Sequence, residues 1–321
     1  MAGEHGMNIT GGWAARVAAY LAYRRSFGFE LAIDGRQLES FARFADRRRA
    51  EHLTLDLAAD WARDSKRASL IGWARRIETL RGFAKFQMRS DPTTVIPPRN
   101  LLGRGHRRLV PHIFTEQEIR TLLAEASLLG PPGGLRPATC CALFGLLLTT
   151  GLRISEAIHL TVADVDLDAG VLNVRNSKCH QHRYVAMHDT VTRQLREYAN
   201  FRDRFVPDRC SDRFFRREGG QPVTQRQMLY TLHAICERQL GWKPRGDYRR
   251  HRLHDLRHTF IVRSALRFYR EEEDIGRCLS ALSIYVGHAK VVDTYWYFTG
   301  IPELMNIAGE RFQRYAEGVP A

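Results

Sequence analysis

His254-Asp255-Leu256-Arg257-His258 is the stretch on which the reading of this chain turns. On a helix, His254 and His258 stand at i and i+4 and share a face, the spacing with which HExxH helices bind zinc. Here Asp255 stands where that pattern has its glutamate base, Arg257 adds positive charge beside a dication, and no convincing third-ligand motif follows. In the second reading His254 and Arg257, at i and i+3, share a face and converge on one anion. A guanidinium donates two parallel hydrogen bonds to paired oxygens, so a phosphodiester suits the pair. His258 then turns inward as a core histidine. The second reading needs no metal.

Working outward, Thr150-Gly151-Leu152-Arg153-Ile154-Ser155-Glu156 places one arginine between a glycine break and a short helix, with Glu156 three residues on. Positive charge at a helix start opposes the helix dipole. Arg153 therefore either serves an anion or pairs with a carboxylate such as Glu156. Lys178 stands in the turn of a hairpin, Asn176-Ser177-Lys178-Cys179-His180-Gln181-His182, between segments with strand character at 170–175 and 183–187. A hairpin tip can push an ammonium into a groove, although a lysine at a turn is equally ordinary surface chemistry. Gly287-His288 is followed by Tyr297, ten residues after the glycine. A tyrosine oxygen attacks phosphorus once its proton is removed and the phosphate charge is neutralised. Tyr285 and Tyr295 lie nearby, but on a helix positions 295 and 297 point about 200° apart, so only one of them faces a given site.

The chain has 321 residues, with 49 Lys/Arg against 35 Asp/Glu and a net charge of +14. That length suggests two domains, and the charge suits a polyanion, nucleic acid first. Residues 1–110 hold 20 basic and 11 acidic residues, +9 of the total. The longest apolar run, Cys140 to Leu148, has nine residues, half of the ~18 that a membrane helix needs. The N-terminus carries no visible secretory signal. Six cysteines, none in a CxxC pair, read as reduced thiols. The expectation is a cytoplasmic, nucleoid-associated protein with no membrane segment.

Residues 10–90 carry four helical stripes. The first is Trp13, Val17, Tyr20 and Leu21; the second is Leu38, Phe41, Ala42 and Ala45. The third begins with Leu55, Leu57, Ala58 and Trp61, and the fourth is Leu70, Trp73, Ile77, Leu80 and Phe83. Pro97, Pro98, Gly103, Gly105 and Pro111 break regular structure, and Arg99, Arg104, Arg107 and Arg108 make that stretch a basic strap or a plain hinge. The expected organisation is a helical DNA-binding domain over 1–96, a basic linker over 97–112 and a second domain over 113–321. In the second domain Thr115 with Glu118 and Thr224 with Gln227 form capping boxes. Ala138–Leu148 reads as a buried helix, Asp189 as a cap, and further helices fall over 254–268, 273–283, 290–298 and 302–316. The fold class is mostly α with one small antiparallel β-sheet.

Taken in order, Arg153, Lys178, His254-x-x-Arg257, His288 and Tyr297 resemble the signature of the tyrosine recombinase (phage integrase) family. TGLRISE, HDLRH and GH with Tyr at the tenth position carry the resemblance, which runs over about residues 112–300. Residues 10–100 are similar to the family's helical core-binding domain in size, charge and position. The YWYF…PELM ending is similar to recombinases carried by transposable elements. The resemblance implies a tyrosine-recombinase-like catalytic domain. In it Arg153 and Arg257 clamp the scissile phosphate, Lys178 is the general acid for the leaving 5′-oxygen and Tyr297 is the nucleophile. His254 is an acid/base and phosphate-orienting group, His288 hydrogen-bonds the phosphate, and Glu156 supports the first arginine. The family's usual glycine-rich turn is replaced around Lys178 by Ser-Lys-Cys-His-Gln-His.

The implied function is a site-specific recombinase or integrase that cuts and rejoins DNA through a 3′-phosphotyrosyl intermediate, with no cofactor, metal or ATP. The implied partners are double-stranded recombination sites, with a homotetramer on DNA, a monomer or weak oligomer when free, and accessory recombinases. Leu304, Ala308, Phe312 and Tyr315 form an apolar stripe that docks on a neighbouring protomer or packs on its own domain. Two alternatives share the fold: an inactive helical DNA-binding protein and a type IB topoisomerase-like enzyme.

Overall fold

The computed structural model describes residues 11–64, 69–105, 109–175, 182–206, 211–271 and 274–288, together with 290, 309, 313 and 317. The helices expected over 290–298 and 302–316, and the stripe from Leu304 to Tyr315, lie outside the described residues. The chain divides into two compact units, Met1–Arg108 and Leu109–Ala321. Among the described residues no helix is long and apolar enough to cross a membrane.

The four stripes of the first unit become α1 (Trp13–Ser26), α2 (Ala32–Arg47), α3 (Leu55–Arg63) and α4 (Leu70–Gln87). Thr54 and Ser69 cap α3 and α4, their hydroxyls accepting from the N–H groups of Leu57 and Gly72. Phe41 is the centre of the core: its ring lies 5.3 Å from Trp13, 5.3 Å from Trp61 and 6.1 Å from Phe83. Edge-to-face contacts of this kind suit aromatic quadrupoles. Two expected stripe members face solvent instead, Leu55 and Leu70, the latter 70% exposed. Each is the first residue after its cap, one turn ahead of the packed stripe. Arg75 and Arg81 of α4 donate to the carbonyls of Gly105 and Pro97, so that end of the basic stretch lies along α4.

The second unit is built around α6 (Leu135–Thr150), which is apolar on nearly every face and is therefore buried on nearly every face. It packs against α5 (Glu116–Ser127), α8 (Asp189–Phe205) and α10 (Leu253–Arg270). The short α7 (Ile154–His159) leads to a three-stranded antiparallel sheet, order β1-β2-β3, from β1 (Val165–Asp166), β2 (Val171–Val174) and β3 (Arg183–Ala186). Leu172 pairs with Val185, both buried, while Tyr184 on the other face is exposed. β1 was not legible because two residues carry no periodicity. α9 (Gln225–His233) continues into a π-helical turn, Ala234–Gln239. The wider turn leaves the adjacent Ile235 and Cys236 both buried. α11 (Ile275–Val286) ends at Gly287.

Both expected capping boxes form, at Thr115–Glu118 and Thr224–Gln227. Asp189 is not the cap of α8; His188 is, its Nδ1 accepting from the Thr190 N–H at 3.3 Å. Asp189 sits in the first turn, where the dipole favours a carboxylate. Residues 110–114 are tied to the second unit. The Val110 carbonyl accepts from the Asp247 N–H, and the Phe114 N–H donates to Thr259 Oγ1 of α10 at 2.9 Å.

Trp61→Ala removes the ring that Phe41 packs on and is expected to cost about 3–5 kcal/mol of stability. Leu70→Ala, at an exposed position, is expected to cost less than about 0.5 kcal/mol. Urea denaturation of the full chain compares the two, and equal losses would contradict this packing.

Candidate active site

Gly151 ends α6 with φ +63°, and a Cβ there would lie 2.4 Å from the Phe260 ring, so only glycine fits the turn. The turn puts Arg153 at the N-cap of α7. Its backbone N–H donates to Glu156 Oε2 at 2.9 Å, and its Nη1 donates to Glu156 Oε1 at 2.7 Å. The carboxylate offsets the positive charge that a helix start disfavours. The two readings of Arg153 meet here: it pairs with Glu156, and its Nη2 also reaches across to donate to the Gly287 carbonyl at 2.8 Å.

Arg183, which sequence reasoning missed, completes the arrangement. Its Nη1 and Nη2 donate to the two Glu156 oxygens at 3.1 and 2.8 Å, and its Nε donates to the Tyr285 carbonyl at 3.0 Å. The available signal was strand alternation. Arg183 shares a face of β3 with the buried Val185, and a charged residue on a buried face needs a partner. Burial pushes the Glu156 carboxyl up, but the bonds and charge of Arg183, then those of Arg153, outweigh it and bring the group down to about 2.

α10 supplies the HDLRH residues. The Asp255 carboxylate caps it, accepting from the Arg252 N–H at 2.8 Å and from the Arg252 guanidinium. Arg257 is 1% exposed and donates from Nη1 to the Gly151 carbonyl at 2.5 Å and from Nη2 to the Val286 carbonyl at 2.8 Å. Its guanidinium thus lies deeper than a surface clamp. His258 is buried, as expected, with its ring edge-to-face against His254 at 4.5 Å. Burial, then the charges of Arg257, Arg252 and Arg153, lower His254 to about 3. The described residues include no group of three His, Cys, Asp or Glu able to hold a metal ion.

The end of α11 gathers these groups. The Gly287 and His288 N–H groups donate back to the Ile284 and Ser283 carbonyls. The next three carbonyls, of Tyr285, Val286 and Gly287, accept from Arg183, Arg257 and Arg153 in turn. The orphan carbonyls of a helix C-terminus need donors and attract cations; here each receives one guanidinium. The structure therefore brings Arg153 and Arg257 onto the turn that carries His288, with His254 within reach of the charge of both arginines. Lys178 and Tyr297 lie outside the described residues.

Three guanidinium groups meeting at one helix end, on a mostly helical unit with a small sheet, make an arrangement that can receive an anion such as a phosphate. The Phage integrase family model matches residues 112–299. The chain is 38% identical over 304 residues to y4rB, a protein of Sinorhizobium fredii named as an integrase/recombinase, covering 93% of this chain and 96% of that protein. It is 29% identical over 191 residues to tyrosine recombinase XerC of Staphylococcus carnosus, covering 59% and 60% respectively. The fold is similar to that of the Tn1549 transposon integrase in complex with a circular intermediate DNA. That match has TM-score 0.63 and 18% identity, over 92% of this chain and 99% of that one. The chain belongs to the phage integrase family, the tyrosine-type site-specific recombinases.

His112, His254 and His258, each held well below the ordinary histidine range, add to the acid sensitivity of the second unit. Burial, then the neighbouring cations and histidines, lower His112 to about 4 and His258 to about 2, alongside His254 at about 3. An unfolded histidine titrates near ~6.5. Below that pH the unfolded chain binds protons that the fold does not, so stability falls as pH drops. The slope approaches about 1.4 kcal/mol per pH unit for each histidine down to its folded value. Glu156, at about 2, holds its charge through this range. Equilibrium unfolding between pH 8 and pH 5 measures the slope, and a flat profile would contradict it.

Proposed function

We propose that this protein cuts and rejoins double-stranded DNA at recombination sites through a 3′-phosphotyrosyl intermediate. Tyr297 is the nucleophile. Its phenolic oxygen loses its proton and bonds to phosphorus, the P–O5′ bond breaks, and Lys178 gives a proton to the departing 5′-oxygen. The new bond keeps the phosphodiester's energy, so a 5′-hydroxyl of a partner duplex reverses the step without ATP.

The observation that carries this reading is the turn at Val286-Gly287-His288. Arg257 and Arg153 end on its neighbouring carbonyls, and His254 feels the charge of both. In the attack the equatorial oxygens gain negative charge, and preorganised cations stabilise it. Arg153 meets those oxygens from the side. Arg257 supports them from beneath, where a low local dielectric lengthens the reach of its charge. His254, neutral in the free protein and made more basic by the charge of the bound phosphate, takes the tyrosine's proton, and His288 hydrogen-bonds the phosphate. The cations supply the stabilisation that a metal supplies elsewhere. The basic first unit follows the duplex backbone through its phosphates. We assign the working form as a homotetramer on DNA, a monomer or weak oligomer when free, acting in the cytoplasm at the nucleoid.

The test is covalent trapping on a nicked duplex carrying the flanks of the native gene. Tyr297→Phe is expected to abolish the adduct and leave DNA binding intact, and EDTA to leave adduct formation unchanged. An adduct retained by Tyr297→Phe and lost by Tyr295→Phe would overturn the nucleophile assignment; full inhibition by EDTA would overturn the metal-free step.

A further inference from the structure

Arg183 lies outside the set of residues that the sequence motifs pick out, yet it joins the start of α7 to the end of α11. It bonds both oxygens of Glu156 and, through Nε, the Tyr285 carbonyl in the last turn of α11. Glu156 in turn holds both the backbone and the side chain of Arg153. Arg183 also passes close to Gly287, where φ is +70° and a Cβ would stand 2.8 Å from its Nη1. The glycine before His288 is therefore needed both for its backbone angle and for the space that Arg183 occupies. Charge adds a second reason. Arg153 and Glu156 alone sum to zero, whereas two guanidinium groups and one carboxylate leave a net +1 for an incoming phosphate.

We propose that Arg183 is a positioning residue for the strand-cleavage step: through Glu156 and the Tyr285 carbonyl it fixes the direction of Arg153, the net charge of the group around Glu156 and the place of the Gly287-His288 turn. The proposal rests on the reading of Arg153 as a phosphate ligand given above. An ordinary buried ion pair needs one carboxylate and one cation. Arg183 instead spends all three of its donating nitrogens on two separate elements, as a guanidinium can and an ammonium cannot.

Single-turnover cleavage of a nicked duplex at saturating protein tests this, with the scissile phosphate either native or replaced by a methylphosphonate, which lacks the charge an arginine neutralises. On native phosphate, Arg183→Ala is expected to slow cleavage on the order of 10- to 100-fold, the range seen when a partner that orients a ligating group is lost, with DNA affinity unchanged. On methylphosphonate the loss is expected to shrink, for Arg183→Ala and Arg153→Ala alike. The double variant is expected to be no slower than Arg153→Ala alone, because the two act on one unit. A merely structural role would slow cleavage of both substrates equally, and that result would overturn the proposal. So would wild-type cleavage of native phosphate by folded Arg183→Ala while Arg153→Ala is impaired. Wild-type cleavage by Arg153→Ala would instead sink the phosphate reading of Arg153 itself. If Arg183→Ala does not fold, Arg183→Lys keeps a cation but loses the fork; wild-type cleavage by that variant overturns the proposal.

Discussion

Three consecutive carbonyls at the end of α11 each accept one guanidinium, and the candidate site depends on that arrangement. A helix C-terminus carries partial negative charge and carbonyls without intrahelical donors. Arg183, Arg257 and Arg153 come from β3, α10 and the start of α7, and they end on the carbonyls of Tyr285, Val286 and Gly287. Three elements distant in sequence are thereby fastened to the turn that carries His288. Buried guanidinium groups repel one another, and Glu156 makes their approach tolerable by accepting from two of them.

Burial, together with these arginines, keeps His254 neutral. His254 stands among Arg257, Arg252 and Arg153, which oppose its protonation as burial does. An imidazole in that state is unprotonated but only a weak base. A phosphate entering the pocket brings negative charge, which opposes those cations and moves His254 back toward its ordinary range. Under the proposed mechanism the substrate therefore helps to tune the group that acts on it.

Much of the fold was legible because its signals are local. The α6 run is apolar on every side and is the centre of the second unit. The Thr115–Glu118 and Thr224–Gln227 pairs sit where their side chains can close capping boxes. The stripes of the first unit misplace only members such as Leu55 and Leu70, where a cap precedes the packed turn. At the candidate site, motif spacing singles out Arg153, His254, Arg257 and His288, and the structure puts Arg153 and Arg257 on the turn that carries His288. Strand alternation marks Arg183 as a charged residue on a buried face, but its partners were not readable, because they lie 27 and 102 residues away and only the tertiary fold joins them. The depth of Arg257 was hidden for the same reason: its acceptors, on Gly151 and Val286, come from two other helix ends.

The central claim is that a single phosphorus atom is held at the end of α11 while a tyrosine of the same chain is bonded to it. A crystal structure of the full-length protein trapped covalently on a nicked duplex tests this most directly. The account predicts a phosphotyrosyl bond at Tyr297, with the non-bridging oxygens facing Arg153, His254 and His288 and Arg257 beneath them. A phosphorus bonded to another side chain, or seated away from the Val286-Gly287-His288 turn, would contradict it.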